Sequence, residues 1–201
     1  MGSEGENETW VAQGEAKFVE MILLLAKLLT EDVKGGATKL NKALWYSEVL
    51  AVRSFGHPIT DTEYQRLPWG PAPRRLLPVR ERLIAQGDLE LVEDDGQARV
   101  IPHREPDLTV FERGEVEIID HMATWLRDMP AWKVSELSHW EPAWFLARDG
   151  EMIIPEMAYL RPAVVLPEIK ERARQIAARR ADEDQSGGHQ ARGPALGFVS
   201  S

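Results

Sequence analysis

Thr38-Lys39-Leu40-Asn41-Lys42-Ala43-Leu44-Trp45-Tyr46, continuing through Ser47 to Phe55, is the stretch that decides the fold. Leu40, Leu44 and Ala51 fall near one side of a helix, with Trp45, Val49 and Val52 beside them. An apolar arc that wide belongs at the centre of a core, with other elements packed around it. Gly56 ends the helix and Pro58 follows.

Toward the N-terminus, Phe18, Ile22, Leu25 and Leu29 recur at helical spacing, predicting a helix from Thr9 to about Thr30. Gly35-Gly36 separates it from the central helix. Residues 1–8 are acidic and polar and are expected to be a disordered lead. Toward the C-terminus, Thr60-x-x-Glu63 has the spacing of a capping box and predicts a short helix there. Trp69-Gly70-Pro71 reads as a turn in a proline-dense loop. A third main helix is expected over Arg74 to Gln86, with Pro78 either kinking it or sitting in its first turn.

The clearest strand signal follows. Leu89-Glu90-Leu91-Val92 and Arg99-Val100-Ile101 flank Asp94-Asp95-Gly96-Gln97, and Asp-Gly suits the centre of a type I′ turn. That register sets Leu91 opposite Val100 and Glu93 opposite Ala98. A fourth helix is predicted over 112–128, with Val116, Ile119, Met122, Ala123 and Leu126 as its stripe. Trp132 to Ser138 is a short helix or turn. Asp149-Gly150 either closes a second small hairpin or ends a short helix. A last helix is expected over 168–184 with a thin seam of Leu166, Ile169, Ala173 and Ile176, and residues 185–201 read as a disordered tail. The fold class is therefore mainly α (α+β): one domain over 9–184, about five main helices and a small antiparallel hairpin at about 89–101.

The 201-residue chain carries a formal net charge of −9 and no cysteine. Disulfides, thiolate metal sites and a cysteine nucleophile are excluded. The longest apolar run, Met21 to Ala26, is far too short for a membrane span, and the start lacks a signal-peptide pattern. These features predict a cytoplasmic protein. His57, His103, His121, His139 and His189 show no metal-ligand spacing, and there is no phosphate-binding glycine loop or nucleophile elbow. The expectation is a binding protein, not an enzyme, with no cofactor and no metal.

Several residues stand out as candidates for binding. Trp69, Trp140 and Trp144 lie in loop-like, proline-bounded segments, where tryptophan is either an interface anchor or a plug in the core. Trp45 and Trp125 sit in helices and are expected in the core. Arg80 projects between Leu83 and Ile84 on the third helix and is a candidate for a structural ion pair, or else reaches to the surface. Glu115 falls on the stripe of the fourth helix, where it would answer the helix dipole. A helix followed by a hairpin also ends a winged-helix unit, in which Arg74, Arg75 and Arg82 would face DNA. The acidic hairpin and net charge disfavour nucleic acid.

Ordered segments resemble a known family. Thr38 to Tyr46 is similar to the Lys-Leu-x-Lys-Leu-Leu-Tyr-Tyr helix of Panacea-domain (SocA-like) antitoxins. Gly56-His57-Pro58-Ile59, Trp69-Gly70-Pro71-Ala72-Pro73 and Ser135-Glu136-Leu137-Ser138-His139, with Trp144 beyond, resemble further motifs of that family. The resemblance implies an antitoxin that neutralises a cognate protein toxin by direct contact, and in SocA-like members delivery of the toxin to a ClpXP-type protease. It implies no catalytic residues. Partner-binding candidates are Trp69, Pro71, His139, Trp140 and Trp144.

Overall fold

The computed structural model describes residues 3–32, 36–94 and 97–159, all within one compact unit, Met1–Pro162. Six α-helices and two small antiparallel sheets are present among them. The central helix is α2, Ala37–Phe55, and the other elements wrap it. Leu40, Leu44, Trp45, Val49, Ala51 and Val52 are all buried. Gly56 caps it in the left-handed region (φ 87), donating its N–H to Val52 O at 2.9 Å.

Helix α1, Ser3–Leu28, begins earlier than the expected start at Thr9, so residues 3–8 are helical rather than a disordered lead. Phe18, Ile22, Leu25 and Leu29 are buried as their spacing predicted. Helix α3, Leu76–Gln86, carries Pro78 in its first turn, where no N–H is required. It ends in a Schellman motif: Gly87 N–H bonds Ile84 O and Asp88 N–H bonds Leu83 O, each at 3.0 Å. Helix α4, Arg113–Leu126, buries Ile118, Ile119, Met122, Ala123 and Leu126. Helices α5, Ala131–His139, and α6, Pro142–Leu146, complete the set.

The expected Thr60–Glu63 helix does not form. Thr60 is turned inward instead, where its N–H and hydroxyl, together with Ile59 N–H, bond the buried carboxylate of Glu48 on α2. The chain leaves extended and forms strand β1, Tyr64–Leu67. The proline-dense stretch after it is strand β2, Gly70–Pro73, rather than a loop. Register runs from Tyr64 opposite Pro73 to Leu67 opposite Gly70, so Pro68 and Trp69 are the turn. In the order β2-β1-β5 the prolines occupy an edge, where a missing N–H removes no ladder bond. Strand β5, Met152–Ile153, pairs with β1, so Asp149-Gly150 closes no local hairpin.

Strands β3, Leu89–Asp94, and β4, Gln97–Pro102, pair in the predicted register, Leu91 opposite Val100 and Glu93 opposite Ala98. The last predicted helix, 168–184, and the tail lie outside the described residues. Among the described residues no helix is long and apolar enough to cross a membrane.

Buried charges are paired within the fold. Lys39 Nζ meets Asp32 at 2.5 Å with both side chains fully buried. Lys17 of α1 pairs at 2.7 Å with Glu115, whose carboxylate also accepts Glu112 N–H at 2.8 Å in a capping box. Glu115 therefore does more than answer the helix dipole, because it ties α1 to α4.

Candidate partner-binding site

The β1–β2 turn is gripped by its main chain. Trp144 Nε1 of α6 donates to Leu67 O at 2.8 Å. His139 of α5 lies against the Pro68 carbonyl. Ser135 Oγ donates to Trp69 O at 2.8 Å, and Lys42 Nζ of α2 reaches Pro71 O at 3.4 Å. Thus Leu67, Pro68, Trp69 and Pro71 each present a carbonyl to a side chain from α2, α5 or α6. The grip is itself braced, since Ser138 Oγ donates to Ser135 O at 2.7 Å.

Gly70 sits in the middle with φ 107, a backbone conformation that favours glycine. A Cβ added there would stand 2.3 Å from both Lys42 Nζ and Ser138 Oγ. The glycine is therefore required twice, for its dihedral and for the space that the lysine and serine fill.

Trp144 is packed on its ring as well as bonded at its nitrogen. The Arg66 guanidinium lies 4.0 Å from its ring centre, and the His139 imidazole stacks at 4.0 Å with an interplanar angle of 18°. Arg66 Nε also donates to the Trp144 carbonyl at 3.1 Å, and its guanidinium pairs with Asp149. These contacts fasten α6 to the hairpin.

Electrostatics in the grip follow from burial. Lys42 is 1% exposed, and loss of hydration pulls its ammonium down to about 8. Burial, and then the Lys42 charge, holds His139 below the usual imidazole range. Six residues further along α2, burial raises Glu48 to about 7, against the three donors of Ile59 and Thr60 that favour its ionised form. Trp45 packs edge-on against Tyr64 at 5.0 Å between these two groups.

The candidate residues fare differently. Trp69 and Trp140 are exposed, at 76% and 60%. Trp144 is half-buried and His139 is part of the grip, so both position the site rather than project from it. Pro71 is buried in β2 and offers no surface, because its carbonyl is turned to Lys42. Trp125, expected in the core, is 40% exposed and rests edge-on against Tyr46.

Arg80 forms no ion pair among the described residues, and its buried Nε has no hydrogen-bond partner. The carboxylates near α3 are taken by other arginines. Glu15 of α1 receives both Arg75 at 3.1 Å and Arg82 at 3.0 Å, and Glu63 receives Arg74 at 3.3 Å. These are the three arginines that the winged-helix reading would turn to DNA, and each is answered by an acid of the chain itself. Among the described residues no group of three or more His, Cys, Asp or Glu could hold a metal ion.

Lys42, Arg66 and Ser135 were not singled out by sequence reasoning. A signal was present for Lys42, which interrupts the apolar arc of α2 and so needed a buried acceptor. Beyond the grip, exposed apolar side chains cluster on neighbouring elements: Trp132 on α5, Phe145 and Leu146 on α6, and Met152 on β5.

The model of one family, antitoxin SocA-like with a Panacea domain, matches residues 40–145. That span takes in α2, both hairpins, α3, α4 and α5, and thus Lys42, Gly70, Ser135, Ser138, His139 and Trp144. No curated protein and no solved structure matches the chain.

Proposed function

Since the chain belongs to the SocA-like, Panacea-domain antitoxin family, we propose that it neutralises a cognate protein toxin in the cytoplasm by binding it directly, without catalysis. The observation that carries this reading is the gripped hairpin turn. The family's span of sequence converges on a device that holds backbone carbonyls and leaves Trp69 outside. Such a device fixes the direction of an exposed aromatic residue before any partner arrives. Preorganised anchors of this kind lower the entropic cost of association. The pairing of Arg74, Arg75 and Arg82 with Glu63 and Glu15 weighs against DNA as the partner.

The test is co-expression with the product of the adjacent gene. Expression of the toxin alone should arrest growth, and co-expression of this chain should restore it with a complex that co-purifies. Absence of both rescue and complex would remove this reading.

A further inference from the structure

Helix α3 carries Leu77, Arg80 and Ile84 in one stripe, spaced three and then four residues apart. Leu77 is 57% exposed and Ile84 is 39% exposed, while Arg80 between them is half-buried. The residues within helical reach of Arg80, three and four positions away, are Leu76, Leu77, Leu83 and Ile84, so its own helix offers no counter-charge. Glu81 is the next residue and points about 100° away around the helix. Arg75 and Arg82 lie on the other side of α3, where they pair with Glu15 of α1, and Arg74 pairs with Glu63. Among the described residues Arg80 forms no ion pair, and its Nε, shut off from solvent, has no hydrogen-bond partner. A guanidinium whose Nε is dehydrated and unmatched costs the free chain stability, and an arriving acceptor would remove that cost.

We propose that Leu77, Arg80 and Ile84 form a docking stripe for a helix of the partner protein that carries one carboxylate between two apolar side chains. The carboxylate accepts a forked pair of hydrogen bonds from the guanidinium, with the Nε–H as one donor, and the apolar side chains cover Leu77 and Ile84. The stripe spans seven residues, about 10 Å of helix axis, so a partner helix with the spacing Leu-x-x-Glu-x-x-x-Leu matches it. Chemistry decides the occupant. The unpaired cation calls for an anion, and the two exposed aliphatic side chains call for that anion to stand on an apolar surface. A DNA backbone supplies the anion but covers neither Leu77 nor Ile84. The net charge of −9 gives no long-range pull on an acidic segment, so this contact sets fit rather than encounter rate. The inference rests on the antitoxin reading only in taking the toxin as the partner.

The experiment uses the full chain labelled with 15N at arginine and with 13C at the leucine and isoleucine methyl groups. It is titrated with two blocked peptides, Lys-Leu-Ala-Ala-Glu-Ala-Ala-Ala-Leu-Lys and the same peptide with Gln in place of Glu. The Arg80 Nε–H signal and the Leu77 and Ile84 methyl signals should move saturably with the Glu peptide, which should bind roughly tenfold more tightly than the Gln peptide. Added salt should weaken it. Arg80→Met keeps the apolar stem and removes the fork, so it should erase the difference between the peptides without lowering the urea midpoint of the free chain. Equal response of the wild-type chain to both peptides overturns the proposal. So does a lowered midpoint, since Arg80 would then be holding the fold together. Sedimentation of the free chain as a dimer that Arg80→Met dissolves also overturns it, because Glu81 of a second copy would then be the occupant, and so does a response of Arg80 to a DNA duplex but not to the Glu peptide. In the complex with the adjacent gene's product, Arg80→Met should weaken binding about tenfold, and indifference there overturns the proposal too. Failure of toxin rescue by the wild-type chain would sink the antitoxin reading while leaving the peptide titration to decide this one.

Discussion

Substituting Gly70 by alanine tests the gripped turn more severely than any other single change. The new methyl would lie 2.3 Å from Lys42 Nζ and Ser138 Oγ and 3.0 Å from Lys42 Cε. A non-glycine residue at φ 107 carries a backbone strain of about 1–2 kcal/mol. Moving Lys42 away from Pro71 O also forfeits a charge-assisted hydrogen bond, a further loss of about 1.5–3 kcal/mol. The sum is a destabilisation of roughly 3–5 kcal/mol. Gly87 supplies the control. It too has positive φ, at 77°, but nothing lies within 4 Å of an added Cβ, so Gly87→Ala should show the backbone strain alone. Urea unfolding followed by far-ultraviolet circular dichroism compares the two in one protein. If Gly70→Ala costs no more than Gly87→Ala, the close packing of Lys42 and Ser138 on the turn is wrong.

Other consequences are open to measurement. Lys42 is held at about 8 in the folded chain but titrates near its ordinary value of 10.5 when unfolded, so between these limits the unfolded state binds more protons. Stability should therefore rise with pH from about 8 toward 10, at up to roughly 1.4 kcal/mol per unit, and Lys42→Met should abolish that slope. Glu48 behaves in the opposite sense: raised to about 7 from 4.5, it stabilises below its unfolded value, and that contribution fades as pH climbs through 7. Glu48→Gln should flatten the decline between pH 5 and 7 in the same unfolding assay. Trp69→Ala and Trp140→Ala should leave stability within about 0.5 kcal/mol of wild type, yet weaken toxin binding measured by calorimetry by about tenfold or more.

The parts of the fold visible in the sequence are those governed by local pattern. The apolar arc of α2 and the Asp-Gly hairpin, down to Leu91 opposite Val100, follow from side-chain period and turn chemistry. Strands β1 and β2 were hidden for a physical reason. Two prolines in β2 argue against a strand unless it is an edge, and that depends on β5, far along the chain. Thr60 misled in a similar way, because a hydroxyl suited to capping a helix found the buried Glu48 carboxylate instead. Trp69 and Trp140, both exposed in the fold, stood out in the sequence as tryptophans among prolines. The grip around them was not, since its acceptors are main-chain carbonyls that every residue type carries alike. Arg80 shows the complementary failure: its place on the helix wheel was read correctly, but the nearby acids are held by Arg74, Arg75 and Arg82.

That the grip acts on the backbone separates two kinds of evolutionary freedom. Lys42, Gly70, Ser135, Ser138 and Trp144 hold the frame and cannot drift singly without loosening it. The residues at positions 68 and 69 contribute to the frame through main-chain carbonyls, which any replacement would also provide. The tip is thus an exchangeable head on a fixed mount. A library randomised at Trp69 and at the neighbouring exposed positions of α5 and α6 should yield folded variants with altered partner choice. Such a scaffold can be retargeted by changing what it shows, while what holds it stays the same.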